Sequence, residues 1–317
     1  REEIQTALWK NRTLVRTSCM RQTLHLIPAV DFALYIKALK KGRTEFLAKI
    51  MSRYAGVTQK ETDALNEMIV EALSAGPLTQ AEIIERILPE VGKKMKKWMQ
   101  LAWSIQIFRS ALIEGLICYG PEKGKKTTFI RVDRWLPGQR KISEEKAQQI
   151  LLRRYLSAYG PATLRDFSKW MGVSAKEANP VWQSLRDELF EVSVEGSSGF
   201  ILRKDYEQLA ESGPIGQNLR LLPHFDSYML GHADRSQLVE AAHYKQVYRK
   251  AGWISPVILL NGRAAGTWFY TRPGSRLSLK IEPFATFSKT ACTKIEEEAE
   301  RLGNFLKISW EVKFGRL

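Results

Sequence analysis

Gly76-Pro77-Leu78-Thr79-Gln80-Ala81-Glu82-Ile83 and Gly160-Pro161-Ala162-Thr163-Leu164-Arg165-Asp166-Phe167 carry the same local instruction twice. In both, Gly-Pro ends the preceding amphipathic segment, because proline lacks the amide hydrogen a helix needs. A threonine two positions later can accept from the backbone of the next turn and so start a new helix. Outward from the first copy, the spacing predicts a helix over 63–75, a second over 80–86 and a third over 93–114 that stops at Gly115. Strands follow at 116–119 and 127–132, around a glycine- and lysine-rich tip at 120–126. Outward from the second copy come helices over 144–158 and 164–170, the latter closing at Gly172, and a third helix capped by Ser174 and reaching 189. A hairpin of 190–194 and 200–203 then turns at Glu195-Gly196-Ser197-Ser198-Gly199. An aspartate with an aromatic close behind it ends both hairpins, Asp133 with Trp135 and Asp205 with Tyr206.

The beginning of the chain reads as the tail of a third copy. Residues 2–11 form a last helix, and 14–19 with 23–27 form a hairpin closed by Asp31-Phe32. Its first two helices are not in the sequence, so further sequence is expected upstream of Arg1. Three helices and a hairpin make a winged helix, whose third helix can enter a major groove while the wing touches phosphates. The same unit also serves as a protein-contact module or a spacer. From about Leu219 the pattern changes. Asn261-Gly262 between alternating runs predicts a type I′ hairpin, with a strand over 276–281, a helix over 291–302 and a strand over 305–314. The expected fold class is mainly α with β (α+β): tandem winged-helix (helix-turn-helix) modules plus a C-terminal β-rich α+β domain. The expected divisions are 1–36, 60–136, 142–210 and 217–317.

Composition narrows the function. Of 317 residues, 49 are basic and 34 acidic, a surplus of +15, which favours a polyanionic partner over simple solvation. No apolar run reaches membrane-spanning length, so no membrane partner is expected. Cys19, Cys118 and Cys292 lie far apart without a Cys-x-x-Cys pair, which fits a reducing cytoplasm better than a disulfide or zinc framework. His25, His224, His232 and His243 lack metal-ligand spacing, so neither metal nor cofactor is called for. Basic residues gather at Lys93, Lys94, Lys96 and Lys97 at a helix start, at Lys123, Lys125 and Lys126 in a hairpin tip, and at Arg272, Arg276 and Lys280 around a strand turn. Trp98, Trp103 and Trp182 recur at intervals typical of core packing.

Three segments carry a family resemblance. Val15-Arg16-Thr17-Ser18-Cys19-Met20-Arg21-Gln22-Thr23-Leu24-His25-Leu26 resembles a "VRTWxMRGTLHL" wing. His224-Phe225-Asp226 with Gly231-His232-Ala233-Asp234-Arg235 is similar to "EFD…SHADR", and Asn261-Gly262-Arg263-Ala264-Ala265-Gly266-Thr267-Trp268 to "DGRVVGTW". All three belong, in this order, to the winged-helix DNA glycosylases of the AlkZ and YcaQ type. The resemblance implies tandem winged helices around a concave basic channel and a monofunctional glycosylase excising N7-alkylated or crosslinked purines. It implies double-stranded DNA as partner, no cofactor, a monomer, and a cytoplasmic, nucleoid-associated place in a bacterium. The family's catalytic motif, a glutamine two residues before a glutamine or aspartate, has no counterpart here. Gln106 is followed two residues later by Phe108, and Gln148-Gln149 lie on an outward-looking helix, so either that motif lies upstream of Arg1, where it is expected, or this member lacks it.

Within the first wing, Arg16 and Arg21 are candidates for phosphate contacts, and Thr23 and His25 for contacting DNA or positioning a nucleotide. Strand alternation turns His25 away from the side of Leu24 and Leu26, taken as the core side; the other reading is a histidine that satisfies backbone groups. Asp226, His232 and Asp234 are candidate catalytic groups, able to stabilise the developing sugar cation or orient water. Arg235 is a candidate DNA contact, or the ion-pair partner of those carboxylates in a purely structural network.

Overall fold

A computed structural model describes residues 2–101, 104–213, 218–272, 274 and 276–315; Trp103 lies outside them. The chain divides into two compact units, Arg1–Leu202 and Arg203–Leu317.

The first unit opens with helix α1 (Glu2–Gln5), continued as a wider π turn over Thr6–Lys10. Strands β1 (Leu14–Ser18) and β2 (Leu24–Pro28) form a hairpin that leads into the 24-residue helix α2 (Phe32–Ala55). Helix α3 (Gln59–Ala72), the short strand β3 (Leu78–Thr79) and helix α4 (Gln80–Ile87) precede α5 (Lys93–Leu101), α6 (Ser104–Ile107) and α7 (Arg109–Ile113). Strands β4 (Ile117–Lys123) and β5 (Lys126–Arg131) and a helical turn, α8 (Val132–Trp135), complete this part. Then α9 (Glu144–Tyr159), α10 (Leu164–Met171), α11 (Ala175–Ser184), β6 (Leu189–Val194) and β7 (Ser197–Leu202) repeat the order of three helices and a hairpin.

The repeated caps work as capping boxes. Thr79 donates its amide to the Glu82 carboxylate at 2.6 Å while its hydroxyl accepts from the Glu82 amide. Thr163 and Asp166 do the same at 2.8 and 3.2 Å, and Thr58–Glu61 and Ser174–Glu177 start α3 and α11 alike. Behind the first set of caps, Leu65, Ile69, Ile83, Phe108, Leu112, Ile117 and Phe129 form one core; behind the second, Leu151, Tyr155, Phe167, Trp182, Leu189 and Leu202 form another.

Several sequence expectations are corrected. Helix α2 was not anticipated; its start (Leu34, Ala38, Leu39) is buried in the second core and its end (Leu47, Met51, Ala55) in the first. The expected single helix over 93–114 is interrupted at Phe108, between α6 and α7. The helix expected to reach 189 ends at Ser184, and a 3₁₀ turn over Arg186–Glu188 lets Leu189 begin β6. The broad 120–126 tip is mostly strand: β4 runs on to Lys123 past a bulge, and Gly124 at φ 62° makes the turn tight. The two hairpins also fuse through Arg16↔Tyr119 into one sheet of order β2-β1-β4-β5-β3. That fusion fixes which face of β2 is inward. His25 pairs with the buried Thr17, while Leu24 and Leu26 face solvent at 55% and 48% exposure. Apolar character suggested the reverse; the partner strand decides.

In the second unit, helices α12 (Tyr206–Glu211) and α13 (Tyr244–Val247) accompany an open sheet. Its strands are β8 (Leu219–Leu222), β9 (Val257–Leu260), β10 (Arg263–Thr271), β11 (Arg276–Pro283) and β12 (Ser309–Phe314), in the order β12-β11-β10-β9-β8. Asn261 and Gly262 take φ 51° and 84° at the β9–β10 turn, as a type I′ hairpin requires. Strands β11 and β12 are parallel, so a crossover must join them, and helix α14 (Lys289–Leu306) is that crossover. Its Ala291, Ile295 and Ala299 cover Leu277, Leu279 and Ile281. Phe305, expected in the last strand, belongs to α14 and is 78% exposed. Among the described residues no helix is long and apolar enough to cross a membrane.

Gly172 ends α10 at φ 80°, and a Cβ there would lie 2.8 Å from the Arg21 Cα in the turn between β1 and β2. Gly196 has the same φ sign but open space around it. Gly196→Ala should therefore cost about 1 kcal/mol and Gly172→Ala about 3 kcal/mol, measured by urea unfolding; equal costs would refute the docking of that turn. Hydrogen bonds from Thr58, Thr79 and Ser174 hold Glu61, Glu82 and Glu177 below the usual carboxylate range, with Glu82 at about 2. A depressed folded pKa gives stability that is full above pH 4.5, the ordinary value, and lost as pH falls through the folded value. The Glu61→Gln/Glu82→Gln/Glu177→Gln protein should show a shallower acid loss of stability between pH 4.5 and 2 than the parent, followed by denaturant midpoint.

Candidate nucleic-acid interface

Helix α5 is amphipathic at short range. Met95 and Trp98 are buried, which turns Lys93, Lys94, Lys96 and Lys97 outward. Among the described residues none of these four lysines is in an ion pair. The β4–β5 tip adds Lys125 and Lys126, also exposed and outside any ion pair among the described residues. Lys123 differs: its Nζ lies 3.0 Å from Glu82 Oε1, so the second helix of the same module neutralises it. Lys94 acts electrostatically on the Glu61 carboxylate, and apart from it and Lys123 the two clusters supply exposed charge on α5 and the β4–β5 hairpin.

The first hairpin behaves differently. Arg16 is lodged between the rings of Trp9 and Tyr119, at 5.8 and 5.4 Å, and pairs with Glu122 at 3.2 Å. It joins the two hairpins, so its candidate phosphate contact has a structural competitor. Arg21, at φ 53°, donates to the Trp170 carbonyl at 3.1 Å. Thr23 is exposed and gives its hydroxyl proton to the Met20 carbonyl at 3.1 Å. His25 Nδ1 lies 2.8 Å from the Thr23 carbonyl, and burial lowers its pKa below the ordinary 6.5, which keeps the ring neutral near pH 7. One residue here was missed by sequence reasoning. Arg43, buried within α2, donates to the Cys19 carbonyl at 2.5 Å and holds the Cys19–Gln22 turn from behind. Burial lowers its pKa to about 10 and raises the Cys19 thiol to about 11. Without α2 in view, nothing in the sequence marks that arginine as internal.

In the second unit, Asp226 and Asp234 each accept a backbone amide two residues on, from Tyr228 and Ser236, both at 2.9 Å. These are aspartate turns, and Asp234 is exposed rather than buried. Arg235 forms no pair with them: its guanidinium lies over the Tyr248 ring at 4.0 Å. The expected carboxylate–arginine pairing is corrected to a cation–π contact. His232 is half-buried in the same loop. At the β10–β11 turn Arg272 is exposed, and Arg276 reaches Glu311 at 3.2 Å. Among the described residues no group of three or more His, Cys, Asp or Glu side chains gathers as a metal site would require.

Comparison with known proteins agrees with this geometry. The family model described as DNA glycosylase AlkZ-like matches residues 1–305. A curated relative, the interstrand DNA cross-link repair glycosylase of Streptomyces sahachiroi, is 30% identical over 304 residues, covering 94% of this chain and 80% of the relative. The solved structure of the Streptomyces sahachiroi DNA glycosylase AlkZ superposes with a TM-score of 0.85 at 28% identity, covering 99% of this chain and 85% of that one. The chain therefore belongs to the AlkZ-like DNA glycosylases, enzymes that act on DNA and hydrolyse its N-glycosyl bonds.

Proposed function

We propose that this protein binds duplex DNA as a monomer and excises N7-alkylated or crosslinked purines, working in the cytoplasm in association with the nucleoid. The winged-helix divisions 1–36, 60–136 and 142–210 are its DNA-binding scaffold, with 217–317 as the C-terminal domain. The observation that carries the reading is the exposed lysine charge on α5 and at Lys125 and Lys126 of the β4–β5 tip, outside any ion pair among the described residues: a third helix and a wing offered to phosphates. The substrate class follows the relative that repairs interstrand crosslinks. In the reaction the C1′–N9 bond breaks, and its electron pair leaves with the purine, which a positive charge at N7 already makes a good leaving group. Water adds its oxygen to C1′ and gives up a proton, leaving an abasic site. Nothing is oxidised or reduced, so the step calls for positioning and an oriented water rather than a cofactor.

We assign Asp226 and Asp234 to building their loop rather than to this chemistry, because each already has an oxygen committed to a turn. Asparagine preserves such a turn. Asp226→Asn and Asp234→Asn should therefore stay within about threefold of parental excision, whereas a general acid or base would lose roughly 10²–10⁴-fold. The assay is alkali-induced nicking of duplex carrying 7-methylguanine. Binding without nicking by the parent would leave a non-enzymatic DNA-binding protein on the same scaffold. Replacing Lys93, Lys94 and Lys97 together by glutamine should flatten the log–log dependence of duplex affinity on salt by about 2 to 3. An unchanged slope would remove α5 from the interface.

A further inference from the structure

The second unit carries a ring cluster that the reading above leaves unused. A tight hairpin is closed by the Tyr248–Ile254 bridge and by the Arg249 amide donating to the Trp253 carbonyl at 2.8 Å. It turns through Ala251 at φ 58° and Gly252 at φ 76°. Trp253 leaves the turn 49% exposed, and Phe225 faces it edge-on, with centroids 5.0 Å apart and an interplanar angle of 80°. His224 closes the group at 5.4 Å from Trp253, its Nδ1 fixed 2.9 Å from the Ile254 carbonyl. Phe225 itself sits at φ 57°, a conformation rare for a bulky residue, and the residue as a whole is 43% exposed. On the same hairpin Arg249 and Lys250 are exposed, and among the described residues neither is in an ion pair. Asp226, next to Phe225, accepts the Tyr228 amide.

We propose that these rings are a stacking platform for an unpaired nucleotide, with Arg249 and Lys250 taking its flanking phosphates. The inference rests on the glycosylase reading only in taking DNA as the polymer. Charge selects a polyanion, and ring faces select a base. In a paired duplex each base already has its faces covered by its neighbours, and only edges and phosphates are offered. A face becomes available when a nucleotide is unpaired or extruded, as one is around a damaged or excised purine. Rigid exposed rings beside free cations are the arrangement that holds such a base without regard to sequence.

The test compares a fluorescent duplex with one bulged adenine against the same duplex fully paired, using the whole protein. The parent should bind the bulged duplex more tightly. Trp253→Ala should weaken bulge binding by about five- to a hundred-fold and leave paired-duplex binding within about twofold, while Trp253→Phe, which keeps a ring, restores most of the difference. Phe225→Ala removes a ring without altering the hairpin and makes the same discrimination should Trp253→Ala fail to fold. Equal losses on both probes, or no loss on either, would overturn the platform; the second outcome would leave the rings to a protein partner. A parent that excises 7-methylguanine yet does not distinguish the probes refutes this inference alone. A parent that binds neither probe refutes the glycosylase reading as well.

Discussion

Everything in the first unit depends on one helix with two allegiances. Helix α2 rises about 36 Å over its 24 residues, and it lends Leu34, Ala38 and Leu39 to one core and Leu47, Met51 and Ala55 to the other. Neither three-helix set can bury its apolar face fully without it, so the two repeats are not independent modules strung on a linker. Between those two ends Arg43 reaches back to the Cys19 carbonyl, and in the turn it holds, the Arg21 backbone rests against Gly172. The N-terminal hairpin is thereby fixed on one side by α2, on another by the end of α10, and through β1–β4 by the neighbouring hairpin. Positioning of Thr23 and His25 is a property of that whole assembly rather than of their own strand.

What was legible in the sequence was what local chemistry determines. Gly-Pro followed by threonine gave both second helices and their caps, because capping is settled within four residues. Asn261-Gly262 gave its hairpin for the same reason. Legibility stopped where a partner distant in sequence decides. The face of β2 that is inward depends on Thr17 and Val15 across the ladder, not on the greasiness of Leu24 and Leu26. The break between α6 and α7 places Phe108, fully buried, at a helix junction, and no periodicity announces a break at one ring. In the 226–235 segment the residue types were those of catalysis, but aspartate also builds turns, and only the hydrogen bonds to Tyr228 and Ser236 separate the two uses.

Between the ring contacts of the protein and the exposed faces of α5 and the β4–β5 tip, the basic residues differ by type, and the difference follows from the chemistry of the two cations. Arginines are repeatedly engaged by rings: Arg12 over Trp135 at 4.1 Å, Arg16 between Trp9 and Tyr119, Arg186 over Phe200 at 4.7 Å and Arg235 over Tyr248. A planar, weakly hydrated guanidinium gains from such contacts, whereas a compact ammonium keeps its water. The charges left exposed on α5 and at the β4–β5 tip are lysines accordingly. Counting all basic residues together overstates the field presented to DNA, since the ring-bound arginines serve partly as packing.

That division bears on how damage is recognised. Lysines that meet phosphates steer the protein to DNA and set its register, but every phosphate is alike, so they cannot report which base is altered. Discrimination has to come from groups that meet a base, and in the proposed platform those are the rings of Phe225 and Trp253. Phe225 leaves the chain at φ 57° and Trp253 follows the Ala251–Gly252 turn, and the two rings hold each other edge-on. A held ring loses little conformational freedom when a base arrives, so more of the stacking energy remains available for distinguishing an accessible base from a paired one. On the proposed reading affinity and selectivity are separable, carried by exposed cations in one case and by held rings in the other.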